Sequence, residues 1–300
     1  MSPRRPDRGD AGARIAFATC AGYEDLDPDD RLLIEPLAAH AITVVPVVWN
    51  DDRFDWDGVD AVLLRSTWDY PMAVDRFLGW AASRPVLLNP FEFVRWNLDK
   101  RYLLELERAG VPIVPTRFGG PGEALEIPAG WREIVVKPSV SAGSRDTARY
   151  DRDDPQAGRH IAGLQGAGRT AMVQPYLDAV DTAGETSLIY VDGELSHAIR
   201  KGPLLQPGGV MTDLLFAPEQ IAPRDPTPIE VALGGAVLAA VRARLGTPVY
   251  CRVDLLPGPV LVEVELIEPS LFLEHGPGSA QRVAAAVARA VAAPVIERAR

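Results

Sequence analysis

The chain has 300 residues, a net charge of -10, and 47% hydrophobic against 24% charged residues. That length allows two or three compact domains with sizeable cores. The acidic balance argues against a nucleic-acid-binding surface, and no apolar run reaches the length of a membrane span.

The first fourteen residues, MSPRRPDRGDAGAR, lack the apolar run of a signal peptide and read as a disordered lead-in. Cys20 and Cys251 both fall in predicted strands. They suit reduced, buried thiols of a cytoplasmic protein better than a disulfide framework. Arg14–Cys20 reads as a buried strand, followed by a helix over Asp29–His40. Ile42–Trp49 is a second strand, with Pro46 marking an edge or an end. Val59–Ser66 is a third, Met72–Ala82 a helix and Val86–Asn89 a fourth strand. This alternation predicts a small parallel α/β domain. The segment TCAGYEDL after the first strand does not supply G-x-G-x-x-G, which removes the main support for a nicotinamide or flavin enzyme. The third strand ends in RSTWDY, and ligands of open α/β sheets sit outside the carboxyl ends of strands. Arg65, Ser66 and Thr67 there suit a small zwitterion. The same residues also suit a loop with an Arg–Asp pair and a packed Trp68.

Asn89-Pro90 reads as a cap and first turn, with a helical pattern running to Gly110. Lys100, beside Asp99, looks on its own like a surface lysine. Val111–Thr116 opens a second unit. Ile134–Pro138 is a strand carrying Lys137 in an apolar run, and a lysine there needs an anion or a route to solvent. The hydroxyl-rich loop Ser139–Thr147 can turn backbone N–H groups toward phosphate, although it is not a Walker A loop. Asp154–Gln165 is helical, and Ala171–Leu177 is a strand leading out of the unit. Thr186–Val191 and Glu194–Lys201 form a hairpin around Asp192-Gly193. Gly202–Pro223 has the length of a lid or binding loop. Pro228–Leu245 and Ala280–Ala293 are helices.

Val249–Leu256 and Val260–Ile267 are β-rich runs around Pro257-Gly258-Pro259. With a turn centred on Pro257–Gly258, Arg252, Asp254, Glu263 and Glu265 share one face, while Val253, Leu255, Val262 and Val264 share the other. Three crowded carboxylates repel unless a cation lies among them, and an oxygen-only set suits Mg²⁺. A solvated strand face with an Arg–Glu cross-strand pair fits the same pattern.

The order of these motifs resembles the ATP-grasp superfamily, in which two α+β lobes hold ATP between them. LDKRYLLELERAG with Lys100, IVVKPSVSAGS with Lys137, VQPYL, GETSLIYVDGELSHAIRK, and CRVDL followed by VEVELIEP carry the likeness over residues 85–270. The last pair is similar to the R-x-D … E-x-N signature of D-alanine–D-alanine ligases and glutathione synthetases, with Glu265 replacing the usual Asn. The resemblance implies an ATP-grasp α/β fold with a pre-ATP-grasp domain at 1–97, a lid domain at 98–176 and a magnesium-bearing domain at 177–300. It implies Lys100, Lys137, Ser139, Ser141, Gly143 and Ser144 at the phosphates of ATP. It further implies Gln174, Tyr176 and Leu177 at adenine, and Glu185 near the nucleotide. Asp254, Glu263 and Glu265 become the Mg²⁺ ligands, and Arg252 steadies an oxyanion.

Within the superfamily, RSTWDY and E-x-E-x-x-E-P-S-L look most like the cyclo-ligases that close O-ureido-D-serine to the antibiotic D-cycloserine. The implied reaction makes an acyl phosphate that nitrogen attacks, with Arg65, Ser66, Thr67 and His275 at a small amino-acid-like substrate. An intermolecular carboxylate–amine ligase is the alternative enzyme, and a non-catalytic ATP-binding regulator the alternative of another class. Homodimers are common among such ligases, but the sequence marks no interface. His40, His160, His197 and His275 show no zinc spacing, and no G-x-S-x-G elbow marks a hydrolase.

Overall fold

The computed structural model describes residues 12–84, 86–208 and 220–293. Most of the expected lead-in, and positions 209–219 of the expected 202–223 loop, lie outside the described residues.

The first unit contains β1 (Ala13–Thr19), α1 (Pro28–Arg31), α2 (Ile34–Ala38), β2 (Ile42–Val48), β3 (Ala61–Leu64), α3 (Val74–Ala82) and β4 (Leu87–Leu88). Its strands form a parallel sheet in the order β2-β1-β3-β4. The helix expected over Asp29–His40 is broken into α1 and α2. Pro36 has no N–H to return to Leu32, so one continuous helix is not available there.

Two short helices follow, α4 (Phe91–Asn97) and α5 (Tyr102–Arg108), where one was expected. Asn89 does not cap α4. It is fully buried at φ 56° and its amide reaches Tyr250 O at 2.9 Å and Leu266 O at 2.8 Å, while Val249 N donates to its Oδ1 at 2.7 Å. Val111–Thr116 is not a strand. Prolines 112 and 115 interrupt it, and only Ile113 bridges to Leu261.

The second unit contains β5 (Arg117–Gly119), β6 (Glu133–Pro138), β7 (Ala148–Asp151), α6 (Pro155–Gly166) and β8 (Ala171–Pro175). These strands make an antiparallel sheet in the order β5-β8-β6-β7. After α7 (Val180–Ala183) come β9 (Glu185–Val191), β10 (Glu194–Lys201), β11 (Ile221–Pro223), α8 (Pro228–Leu245), β12 (Tyr250–Leu256), β13 (Val260–Glu265) and α9 (Ser279–Ala292). The third sheet is antiparallel, in the order β11-β10-β9-β12-β13. Its edge strand β13 is closed by side chains. The Asn97 amide exchanges bonds of 2.8 Å with Val264 O and Leu266 N, and Tyr102 Oη does the same with Val264 O and N. Main-chain groups that would otherwise lack partners are thereby satisfied.

The hairpin β12–β13 differs from the expected register. Its turn has three residues, so Leu256 pairs with Val260 and Leu255 with Leu261. Continued regularly, that offset would send Glu263 to the core face. A bulge between Asp254 and Leu255 absorbs Val262 and gives the pairs Asp254–Glu263 and Arg252–Glu265, where the expected turn would have set Arg252 opposite Glu263. The four charged groups therefore share a face as expected, and Val262 lines the cleft instead of the core.

One core cluster joins β1 residues such as Ile15 and Phe17 to Ile189, Tyr250, Val283 and Val287 of the last unit. No helix among the described residues is long and apolar enough to cross a membrane.

Candidate active site

The second and third sheets, with loops of the first unit, wall a cleft of 470 Å³. At one end lies Lys100, in the break between α4 and α5, which frees its backbone N–H to donate to Ser139 O at 2.9 Å. Its ammonium donates to Ser141 O at 3.0 Å and Ser141 Oγ at 3.2 Å, and pairs with Glu263 at 3.0 Å. Lys137 is buried on β6 facing the cleft, and burial pushes its ammonium below the ordinary lysine range. Ser141, Gly143, Ser144 and Thr147 line the cleft above it. Ser139 does not line it and instead holds the chain, with its N–H on Thr170 O at 2.9 Å. Gly143 (φ 62°) and Ser144 (φ 60°) are consecutive left-handed residues, a conformation that turns successive N–H groups in one direction.

The other wall of this end is mainly apolar. Val114, Val135, Leu204 and Leu205 surround Gln174, Tyr176 and Leu177. The Gln174 amide donates to Thr116 Oγ1 at 3.0 Å, and Tyr176 lies under the Arg149 guanidinium at 3.5 Å.

The carboxylate face meets a row of cations. Arg252 Nε and Nη2 donate to Asp254 at 3.0 to 3.1 Å, Nη2 also reaches Glu265, and Nη1 donates to Ser270 O at 3.1 Å. Lys201 bridges Glu185 at 2.8 Å and Asp254 at 3.2 Å. Burial would raise the Asp254 carboxyl, but Arg252 and Lys201 outweigh it and hold the group well below the ordinary carboxylate range. Glu265 behaves oppositely: burial pushes it up to about 7 despite Arg252. Among the described residues no three acidic, His or Cys groups converge on one point, because Glu263 is turned to Lys100 and the other two to Arg252.

The far end is built by the loop after β13 and by the first unit. Glu268, Ser270, Phe272, Glu274 and His275 line it together with Asp27, Asp29, Trp68 and Tyr70. The loop backbone is held group by group. Arg65 donates to Pro269 O at 3.1 Å, and Asp29 accepts from Leu271 N at 3.2 Å and Leu273 N at 2.5 Å. His197 Nε2 lies 2.9 Å from Leu271 O and 3.2 Å from Phe272 O, so this nitrogen carries the proton. Burial lowers the His197 pKa and keeps the ring neutral.

The expected site residues therefore divide. The nucleotide-end set lines the cleft except Ser139, and His275 lines the far rim. Arg65, Ser66 and Thr67 do not line it. They are at most 2% exposed, and Arg65 Nε and Ser66 Oγ both bond the buried Asp30, each at 2.7 Å. Their strand end points into the joint between units, and the following residues Trp68 and Tyr70 reach the cleft instead. Lys201, Asp29 and His197 had no sequence signal, because their partners are distant in the chain.

The comparisons with known proteins come from both sequence and structure. Residues 15–89 match the family model described as the N-terminal domain of the D-cycloserine synthetase DcsG. The cycloserine biosynthesis protein DcsG of Streptomyces lavendulae is 38% identical over 295 residues, 91% of this chain and 97% of that protein. The crystal structure of D-cycloserine synthetase DcsG superposes with a TM-score of 0.83 at 36% identity, covering 93% of this chain and 99% of that one. The ATP-bound D-alanine–D-alanine ligase of Bacillus anthracis shares the fold at 15% identity and a TM-score of 0.61, over 93% of this chain and 97% of its own. The chain belongs to the DcsG family of ATP-grasp ligases, ATP-dependent enzymes that form carbon–nitrogen bonds.

Proposed function

We propose that this enzyme converts O-ureido-D-serine to D-cycloserine, activating the substrate carboxylate as an acyl phosphate that a nitrogen of the same molecule attacks. The cyclising substrate is suggested by the relative named for cycloserine biosynthesis. The geometric observation that carries the chemistry is the position of Arg252. Its guanidinium touches the carboxylate hairpin on one side and Ser270 of the far-end loop on the other.

Lys100, Lys137 and the amides of the 139–147 loop hold the triphosphate. Ser139 keeps this loop in place, while Ser141, Gly143 and Ser144 face the phosphates. Adenine fits the apolar slot at Val114, Val135 and Leu205, beside Gln174, Tyr176 and Leu177, and Glu185 stands near the nucleotide. Asp254, Glu263 and Glu265 are oxygen donors on one face of one hairpin, a set suited to Mg²⁺ once Lys100 and Arg252 release them to phosphate and substrate. Bound there, Mg²⁺ supplies charge neutralisation for phosphoryl transfer. Arg252 stabilises the oxyanion as nitrogen adds to the acyl carbon, and its attachment to Ser270 O limits its motion. The loop 139–147 excludes water from the acyl phosphate. His275 contacts the substrate from the rim, and Arg65, Ser66 and Thr67 act through the joint they build.

The test is ADP and phosphate release from Mg²⁺-ATP with O-ureido-D-serine as the sole organic substrate. Turnover is expected, with a loss of roughly 1000-fold or more in Asp254→Asn. Turnover that needs a second amine would make the enzyme an intermolecular ligase. ATP binding without ADP release would make it a regulator.

A further inference from the structure

Glu268 is a buried carboxyl without a partner. It is 7% exposed and lines the cleft, and it makes no hydrogen bond or ion pair with a described residue. Burying a carboxyl is costly unless something satisfies it. The backbone on both sides is nevertheless fixed. Tyr250 Oη donates to Ile267 O at 2.9 Å, Asn89 to Leu266 O at 2.8 Å and Arg65 to Pro269 O at 3.1 Å. The side chain is held in place facing the cleft with no bonded partner, and burial and the neighbouring Glu265 push its carboxyl well above the ordinary range, so its ionised form calls for a cationic ligand.

The other acids of the cleft already have partners. Asp254 and Glu265 are on Arg252, Glu263 is on Lys100, and Asp29 is occupied by the amides of Leu271 and Leu273. Glu274 is 74% exposed in its side chain and paired with His275. Lys100 and Arg252 are the cations whose charge Glu268 feels. Arg252 is also the group placed at the acyl carbon of the carboxylate being activated, and Lys100 stands at the phosphate that activates it. In an α-amino acid the ammonium is one carbon away from that carboxylate.

We infer that Glu268 is the specificity residue that receives the α-ammonium of the amino-acid substrate. The inference rests on the reading of an α-amino acid substrate given above, and deepens it. Trp68, Tyr70 and Phe272 line the same end, so the ion pair forms beside aromatic surface within an acidic wall that also favours a cation.

The test is a two-by-two cycle. O-ureido-D-serine and its des-amino analogue are titrated into wild type and Glu268→Gln with Mg²⁺ and a non-hydrolysable ATP analogue, and turnover is measured in parallel. Wild type is expected to prefer the amino compound by roughly 100-fold, and Glu268→Gln to bind both alike, within about 3-fold, with affinity for the ATP analogue unchanged. Full discrimination in Glu268→Gln, or loss of Mg²⁺-dependent nucleotide binding, overturns the inference. Equal binding of both compounds to wild type overturns it too, while leaving ring closure intact. Discrimination without turnover in wild type would sink ring closure and leave the ammonium site standing. Should Glu268→Gln fail to fold, Glu268→Asp keeps the charge and shortens its reach. It is expected to weaken binding of O-ureido-D-serine and not of nucleotide, and an unchanged affinity overturns the inference.

Discussion

Asp29 accepts two amides of the far-end loop, yet burial pushes its carboxyl up to about 6. A carboxyl whose folded pKa exceeds its unfolded value binds the proton more tightly when folded. Its contribution to stability is therefore greatest at low pH and falls as pH rises from about 4 to about 6. The loss is on the order of 3 kcal/mol across that window. Asp29→Asn is expected to flatten this part of the curve. Denaturant unfolding of both proteins at pH 4 and pH 7 checks it, and parallel curves would mean Asp29 does not titrate there. Such residues are hard to find in a sequence. Asp29 reads as a helix-start acid, and nothing local predicts partners at positions 271 and 273. Lys137 is the opposite case, since a lysine inside IVVKP is conspicuous and it does line the cleft.

At the scale of elements, two hairpins place the charged groups, and each contains a bulge. The Asp192-Gly193 turn pairs Leu195 with Tyr190; continued regularly, it would put Arg200 opposite Glu185. A bulge at Ser196 shifts the register so that Lys201 faces Glu185. In β12–β13 the three-residue turn and the bulge at Val262 together keep the four charged groups on the one face that a simple two-residue turn predicts, with Arg252 opposite Glu265 where that turn would put Glu263. The alternation of charged and apolar residues was thus legible, and the bulges were not, because they follow from the joint demands of core and cleft. The far-end loop has its own sensitive point. A Cβ on Gly276 would lie 2.5 Å from Cγ of His197, whose ring holds Leu271 and Phe272. Gly276→Ala is expected to cost about 1–3 kcal/mol of stability and to raise KM for the amino-acid substrate more than KM for ATP. Thermal unfolding and steady-state kinetics measure the two effects, and an equal rise in both KM values would mean the loop shift spreads through the whole cleft.

For the whole molecule, the α/β alternation of the first unit and the antiparallel character of the rest were readable from periodicity and turn residues. The packing between units was not. α9, about 190 residues beyond the first sheet in the chain, packs on α2 and joins the core cluster that holds Ile15 and Phe17. Leu33 and Leu37 share a cluster with Val283 and Val287. A fragment covering residues 12–97 is therefore expected to lack a cooperative melting transition by circular dichroism. A sharp melt would show that its core closes without α9.

The joint has an evolutionary consequence. The first unit supplies Trp68 and Tyr70 to the far end of the cleft, and it holds the 269–273 loop through Asp29 and Arg65. Recombination that exchanged this unit alone between relatives would carry in half a binding wall and discard the ties to the other half. On the proposed function, a chimaera that exchanges this unit is expected to keep activity only where α9 and the 268–275 loop travel with it.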